Sequence, residues 1–392
     1  MKLKTIAGSA VLCLAATQVA AEEFKIGFVT TLTTPAAVIG RDMVDAVNLS
    51  LEHHGAAFAG RKVTVVFEDD GFKPETGRQK VEKLVQSDEV DVVAGFIWSN
   101  VLLAAQRPAL KSGAWLISTN AGPSELAGRL CHENFFSTRG QNDLSPMALG
   151  EQLNRDGVKT LYIMVPNYAA GKDMARGVET GFKGEVVGKD LTRWGADPQL
   201  DFSAELAKVK ASGAEALMAF YPGRAGGAFF AQLERAGLGE LPVYTVYTID
   251  SISLPRMQKA GLSAVKSARA IEYWSPDLDN PANRRFVEGF RAAYGRTPSF
   301  YAAGAYDLIP YLKSALEAVE GDLSKREGIR AALRAADYDS VRGTLTYGAN
   351  HYPINDYYVR RIVEAADGTW SFKVDGVASS GASDPYIGQC KR

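Results

Sequence analysis

The chain has 392 residues, 46% hydrophobic and 23% charged, with a formal net charge of −1. That length exceeds a single core and suits two domains. The charges are scattered and no polybasic run occurs, which argues against nucleic acid and anionic membrane surfaces as partners.

Residues 1–21 read as an export signal. Lys2 and Lys4 precede the apolar run Ile6–Ala16, which is too short to span a bilayer, and Val19-Ala20-Ala21 offers small residues for cleavage after Ala21. Cys13 follows Leu12 and is a poor lipid-attachment site, so no stable membrane anchor is expected. Cys131 and Cys390 then remain. In an oxidising compartment they read as a disulfide closing a long loop, worth about 2–4 kcal/mol, with two separate thiols as the alternative.

The first half alternates strand and helix. Strands are expected over Phe24–Thr30, Lys62–Glu68, Asp91–Phe96 and Trp115–Ser118, with helices over Arg41–His53, Thr76–Ser87 and Val101–Lys111. The pattern resumes with helix Asp143–Asp156, strand Thr160–Val165, helix Gly171–Phe182, strand Glu185–Thr192, helix Phe202–Ser212, strand Ala216–Phe220 and helix Gly227–Ala236. Strands at Pro242–Tyr247 and Ala268–Tyr273 follow, then helices Asn283–Tyr294, Ala302–Val319 and Lys325–Ala335. Two late strands are expected near Thr344–Tyr347 and Tyr357–Val363, and Asp375–Ser383 reads as a surface loop rich in Gly and Ser. Such alternation specifies parallel sheets covered on both faces, in two similar lobes. No low-complexity linker separates the halves, so the chain is expected to cross between lobes more than once and leave a cleft.

Catalytic signatures are lacking. The sequence has no GxxxxGK[ST], no GxGxxG after the first strand, no HExxH and no GxSxG, and neither Cys131 nor Cys390 has metal-ligand spacing. The expectation is a binding protein without cofactor or metal. In open parallel sheets ligands sit beyond the C-terminal ends of the strands. Those loops contain Thr30–Pro35, Phe96–Asn100, Ser118–Gly122, Pro166–Gly171, Phe220–Arg224 and Tyr247–Asp250. Ser99 or Asn100 caps a helix or meets a carboxylate there. Thr119 and Asn120 offer donors, Ala121 and Gly122 let a ligand approach backbone amides, and Tyr168 presents a ring and a hydroxyl. Arg224 is a candidate carboxylate clamp, and Asp250 pairs with an ammonium, caps a helix or braces Arg224. Each has a plain structural alternative as a cap, a turn or a packed side chain.

Phe24–Leu51, Leu116-Ile117-Ser118-Thr119-Asn120-Ala121 and Val165–Asp173 resemble the leucine/isoleucine/valine-binding protein family, the type I periplasmic solute-binding proteins of ABC transporters. Gln141-Asn142-Asp143, Asp201–Leu206, Pro276–Asn283 and Gln389-Cys390-Lys391 look closer to aromatic-acid-binding members than to amino-acid binders. The resemblance implies an α/β fold of two doubly wound parallel-sheet lobes joined by a three-crossing hinge. It places residues 22–140 with 274–355 in lobe 1, and 141–273 with 356–392 in lobe 2. It implies a ligand site at Ser99, Asn100, Asn120, Ala121, Gly122, Tyr168 and Arg224, with the ammonium-binding acid of the amino-acid members falling near Thr248 or Asp250. The implied function is a periplasmic, monomeric, non-enzymatic component of an ABC importer that hands a carboxylate-bearing solute, an aromatic acid in first place, to a permease. A branched-chain or other amino-acid carrier and a periplasmic ligand sensor are the alternatives.

Overall fold

The computed structural model describes residues 23–391; the expected export signal over residues 1–21, including Cys13, lies outside them. The first part of the chain runs β1 (Glu23–Thr30), α1 (Ala37–His54), β2 (Ala57–Phe58), β3 (Arg61–Asp69), α2 (Pro74–Gln86), β4 (Val92–Gly95), α3 (Ser99–Lys111), β5 (Trp115–Ser118), α4 (Ser124–Ala127) and β6 (Phe135–Ser137). These strands form one sheet in the order β2-β3-β1-β4-β5-β6, parallel except for the β2–β3 hairpin. Phe24, Ile26, Phe28 and Val29 of β1 are all fully buried, as a strand covered on both faces requires.

The second part runs α5 (Leu144–Arg155), β7 (Thr160–Pro166), α6 (Ala169–Gly181), β8 (Glu185–Thr192), α7 (Ser203–Ser212), β9 (Ala216–Ala219), α8 (Arg224–Arg235), β10 (Val243–Thr245), α9 (Leu254–Lys259), α10 (Ala264–Ser267) and β11 (Arg269–Glu272). Then come α11 (Pro281–Tyr294), α12 (Phe300–Glu317), α13 (Arg326–Ala335), β12 (Thr346–Tyr347), β13 (Pro353–Glu364) and β14 (Trp370–Ala382). The second sheet has the order β12-β13-β11-β10-β9-β7-β8, with β14 on β13. Its β7 to β11 portion is parallel, and β13 runs antiparallel to β11, β12 and β14.

Helices α11 and α12 return to the first sheet and pack on α1. Ser50 Oγ donates to the Tyr306 carbonyl at 2.7 Å, and Arg296 pairs with Asp42 and Asp45 at 3.1 and 2.5 Å. The chain therefore leaves the first lobe after Ser137, returns between Glu272 and Pro281, and leaves again along β12 and β13. Each of the two sheets, with the helices that cover it, forms one of two α/β lobes.

Two expectations need correction. Asp375–Ser383 is mostly not a loop, because β14 continues to Ala382 and pairs with β13 from Glu364↔Trp370 to Asn355↔Ala382. Its small residues serve irregularities in that ladder, where the register shifts between Asn355 and Arg360. The short strand β6 also escapes the alternation pattern, since only Phe135, Phe136 and Ser137 carry it. The sulfurs of Cys131 and Cys390 lie 2.09 Å apart with a Cα separation of 5.5 Å, joining the tail after β14 to the loop before β6.

Candidate functional site

The loops beyond β4 and β5 meet those beyond β7, β9 and β10 around a small inner cavity, about 300 Å3 including its opening. Ser99, at the start of α3, and Asn120 and Ala121 form the first-lobe wall. Tyr168, Ala170, Phe220 and Tyr247 form the second-lobe wall, and Tyr301 of α12 closes one side. Helices α3 and α6 both open at this cavity without a side-chain cap, so free N–H groups and the positive ends of two dipoles face it. Gly171 allows the second of these approaches: a Cβ there would fall 1.7 Å from the Pro166 carbonyl oxygen.

The crossing segment supplies the charge. Arg139 is 2% exposed. Its Nη1 donates to the Asn120 carbonyl at 2.7 Å and to Asn142 Oδ1 at 2.9 Å, whereas Nε is buried without a partner. Burial works against its positive charge, but Tyr247, Tyr273, Tyr357 and Glu272 outweigh it and the net shift is upward, so the guanidinium stays charged. Among the described residues, no acidic side chain lines the cavity. A buried cation without an ion-pair partner in the cavity wall gains a charge-assisted hydrogen bond if an anion joins it.

Asn142 joins both lobes to this arginine. Its Nδ2 donates to Ser99 Oγ at 3.0 Å and to Asp173 Oδ2 at 2.9 Å, and its Oδ1 accepts from the Gly122 N–H at 3.2 Å. Asp173 of α6 reaches across to the first lobe and accepts from Ser124 Oγ at 2.9 Å and the Ser124 N–H at 3.2 Å. Asn120 Nδ2 donates to the Ile97 carbonyl at 2.8 Å, which leaves Oδ1 as a buried acceptor without a partner.

Aromatic rings complete the enclosure. Trp98 stacks on Phe72 at 3.9 Å and donates from Nε1 to Thr31 Oγ1 at 2.8 Å. Trp194, from the loop after β8, meets the Trp98 ring at 6.0 Å in an edge contact across the cleft. Tyr168 lies between Trp194 and Phe220, at 5.8 and 6.3 Å.

Of the residues singled out from the sequence, Ser99, Asn120, Ala121 and Tyr168 line the cavity. Asn100, Thr119 and Gly122 do not. The Thr119 N–H and hydroxyl both bond the Gly95 carbonyl, at 2.9 and 3.4 Å, and the Gly122 amide is taken by Asn142. Arg224 is an exposed residue at the start of α8 that lines a different, outer hollow, because Phe220 and Pro222 fill the wall before it. Thr248 ties its loop to the one after β9, accepting from the Tyr221 N–H at 2.9 Å, and is absent from the cavity wall. Asp250 accepts from the Ile252 and Ser253 amides at 2.9 and 2.6 Å and is absent from the cavity wall. Arg139 and Tyr301 were not among the sequence candidates. The one available signal for Arg139 was an arginine beside Gly140 at the exit from the first lobe.

Among the described residues, no group of three His, Cys, Asp or Glu side chains could hold a metal ion, and no helix is long and apolar enough to cross a membrane.

A family model described as periplasmic binding protein matches residues 23–369. The chain belongs to that family. This periplasmic binding protein is 26% identical over 382 residues to a Leu/Ile/Val-binding protein homolog 6 of Brucella abortus, covering 94% of this chain and 95% of the relative. Among solved structures it resembles a solute-binding protein of an ABC transporter from R. palustris in complex with benzoate. The identity is 28%, the TM-score 0.86, and the match covers 94% of this chain and 100% of that one. A branched-chain amino acid transporter substrate-binding protein from Streptococcus pneumoniae, in complex with isoleucine, shares the fold at 21% identity and TM-score 0.77, over 91% of this chain and 100% of that one. The family and these neighbours are binding proteins and not enzymes.

Proposed function

We propose that this periplasmic binding protein captures a small aromatic carboxylate between its lobes and delivers it to the permease of an ABC importer in the periplasm. One observation carries the reading: Arg139 is a buried cation with a free Nε, and no acid shares its cavity. An amino acid would bring an ammonium that needs an acid, and Asp250 spends one carboxylate oxygen on two backbone amides away from the cavity. A carboxylate without an ammonium matches the charge. Tyr168, Phe220 and Tyr247 supply the aromatic surface against which its ring would pack. The R. palustris neighbour, which holds benzoate, supports the same class.

Binding needs no chemistry. A carboxylate on Arg139 and the α3 and α6 amides is within reach only when both lobes surround it, so the ligand favours the closed form. Micromolar affinity corresponds to about −8 kcal/mol, which a buried carboxylate and a packed ring can reach. The test is calorimetry of the purified mature protein with benzoate, 4-hydroxybenzoate, leucine and isoleucine. Binding of the two aromatic acids, and its loss in Arg139→Gln with the fold retained by circular dichroism, is the expected outcome. Tight leucine binding with no response to either aromatic acid would overturn the reading.

A further inference from the structure

Outside the inner cavity the two lobes enclose adjoining hollows of about 710 and 1360 Å3, open space included. The nearer one shares Trp98 and Pro222 with the inner cavity, so the outer space lies on the approach to it. Its charge is one-sided. Arg41 of α1, from the first lobe, and Arg224 of α8 and Arg256 of α9, from the second, line the larger hollow, and all are exposed. Among the described residues, no acidic side chain lines that hollow. Asp197, on the wall of the nearer one, is paired with Arg193 at 2.8 Å. The whole chain carries a net charge of −1, so this cluster departs from the average surface.

We propose that the outer hollow is an anion-capture vestibule, in which Arg41, Arg224 and Arg256 draw a small organic carboxylate toward Arg139 and raise its association rate. The inference rests on the anionic-ligand reading of the inner cavity. Clefts lined by charge of one sign raise association rates by about 10- to 1000-fold, and the gain falls with ionic strength. The three side chains remain in solvent, so their contribution acts over distance. The Debye length shrinks from about 10 Å at 0.1 M salt to about 3 Å at 1 M, which cancels action at that range. Affinity at high salt then belongs to Arg139 and the inner wall alone.

The test is stopped-flow tryptophan fluorescence with benzoate as probe, on wild type and on the triple variant Arg41→Gln, Arg224→Gln, Arg256→Gln. The expected result is an association rate about 3- to 10-fold lower in the variant at low salt, an unchanged dissociation rate, and a difference that disappears in 1 M NaCl. An unchanged association rate at low salt overturns the proposal. So does a raised dissociation rate, which would put these arginines on the bound ligand, and so does a loss that persists in 1 M NaCl. Unchanged benzoate kinetics with lost uptake in permease-containing vesicles would assign the arginines to permease docking, which also overturns it. Wild-type calorimetry separates the two readings. No benzoate binding at all sinks the functional reading and the vestibule together, whereas normal binding with normal rates in the variant sinks only the vestibule.

Discussion

The guanidinium of Arg139 sits 4.1 Å from the centre of the Tyr247 ring. A cation carried by a crossing segment is thereby covered by an aromatic face from the second lobe. Contacts of this kind are worth about 0.5–2 kcal/mol, more when solvent is excluded. Tyr247→Leu is expected to weaken benzoate binding by about 5-fold, a loss of about 1 kcal/mol, while Tyr247→Phe keeps the ring and most of the affinity. Titration calorimetry of both variants distinguishes the ring from the hydroxyl.

Arg139 itself should matter more. Removing one partner of a buried charge pair costs about 2–5 kcal/mol. Arg139→Gln is expected to lose at least about 30-fold in affinity for benzoate, and Arg139→Lys to recover only part of it, because a point charge replaces a fork. Equal affinity in Arg139→Gln and wild type would remove this arginine from the ligand.

The Ser124–Asp173 contact ties the first lobe to α6 of the second at 2.9 Å, so it favours the arrangement in which the two lobes meet. A hydrogen bond to a charged group contributes about 1.5–3 kcal/mol. Ser124→Ala keeps the backbone N–H contact, so the expected loss is smaller, about 3-fold in apparent affinity. Small-angle scattering should show a larger open fraction for the ligand-free variant.

Glu272 predicts a pH dependence of stability. Burial lifts its pKa to about 8, against the pull of Arg360, whose Nη2 stands 3.5 Å away. The folded protein thus holds a proton that the unfolded chain has released above its ordinary carboxylate range. Stability from this group is complete below about pH 4 and declines as the pH rises toward 8. Burial also raises Asp42, Asp70 and Asp384 to about 6, with the same sign, and lowers His54 to about 4, with the opposite sign. Of these groups only Glu272 titrates mainly between pH 6.5 and 8, and burial raises Asp250 and Asp307 with the same sign. Glu272→Gln should flatten the decline in melting temperature across that window, and an unchanged slope would assign it to another group.

Gly140 sits in the first crossing with no room for a side chain. A Cβ there would fall 2.1 Å from Tyr357 Oη and 3.2 Å from Asn355 Nδ2. Gly140→Ala is expected to cost about 1–3 kcal/mol by overpacking, seen as a lower midpoint in urea. Adding Tyr357→Phe removes the clashing oxygen, which has no hydrogen-bond partner to lose, and should restore part of the stability.

The alternation of strands and helices was readable because each apolar run has a length and period that only one element satisfies. Strand β14 was not, because Gly376, Ser379, Ser380 and Gly381 have turn-like composition and owe their extended state to pairing with β13. The strand-end loops led to Ser99, Asn120, Ala121 and Tyr168, since a parallel sheet presents those loops on one side. Arg224 also follows a strand, but Gly223, with φ +65, turns the chain outward first. Thr248 and Asp250 look like ligand groups in one dimension, yet the Thr248 hydroxyl is taken by the Tyr221 amide and one Asp250 oxygen by the Ile252 and Ser253 amides, away from the cavity wall. Arg139 was hidden for a topological reason. It lies past the end of β6 on a segment that belongs to neither sheet, and only the crossing of the chain brings it to the cavity.

The bond between Cys131 and Cys390 turns the far end of the polypeptide into a strap. It fastens the segment after β14 to the first lobe, near Asn350, whose Nδ2 reaches the Ala127 carbonyl at 2.9 Å. That margin of the molecule is therefore held covalently as well as by the crossings of the chain. Reduction would release that strap and leave the tail held to the first lobe by non-covalent contacts alone, which ties the rigidity of this edge to an oxidising surrounding.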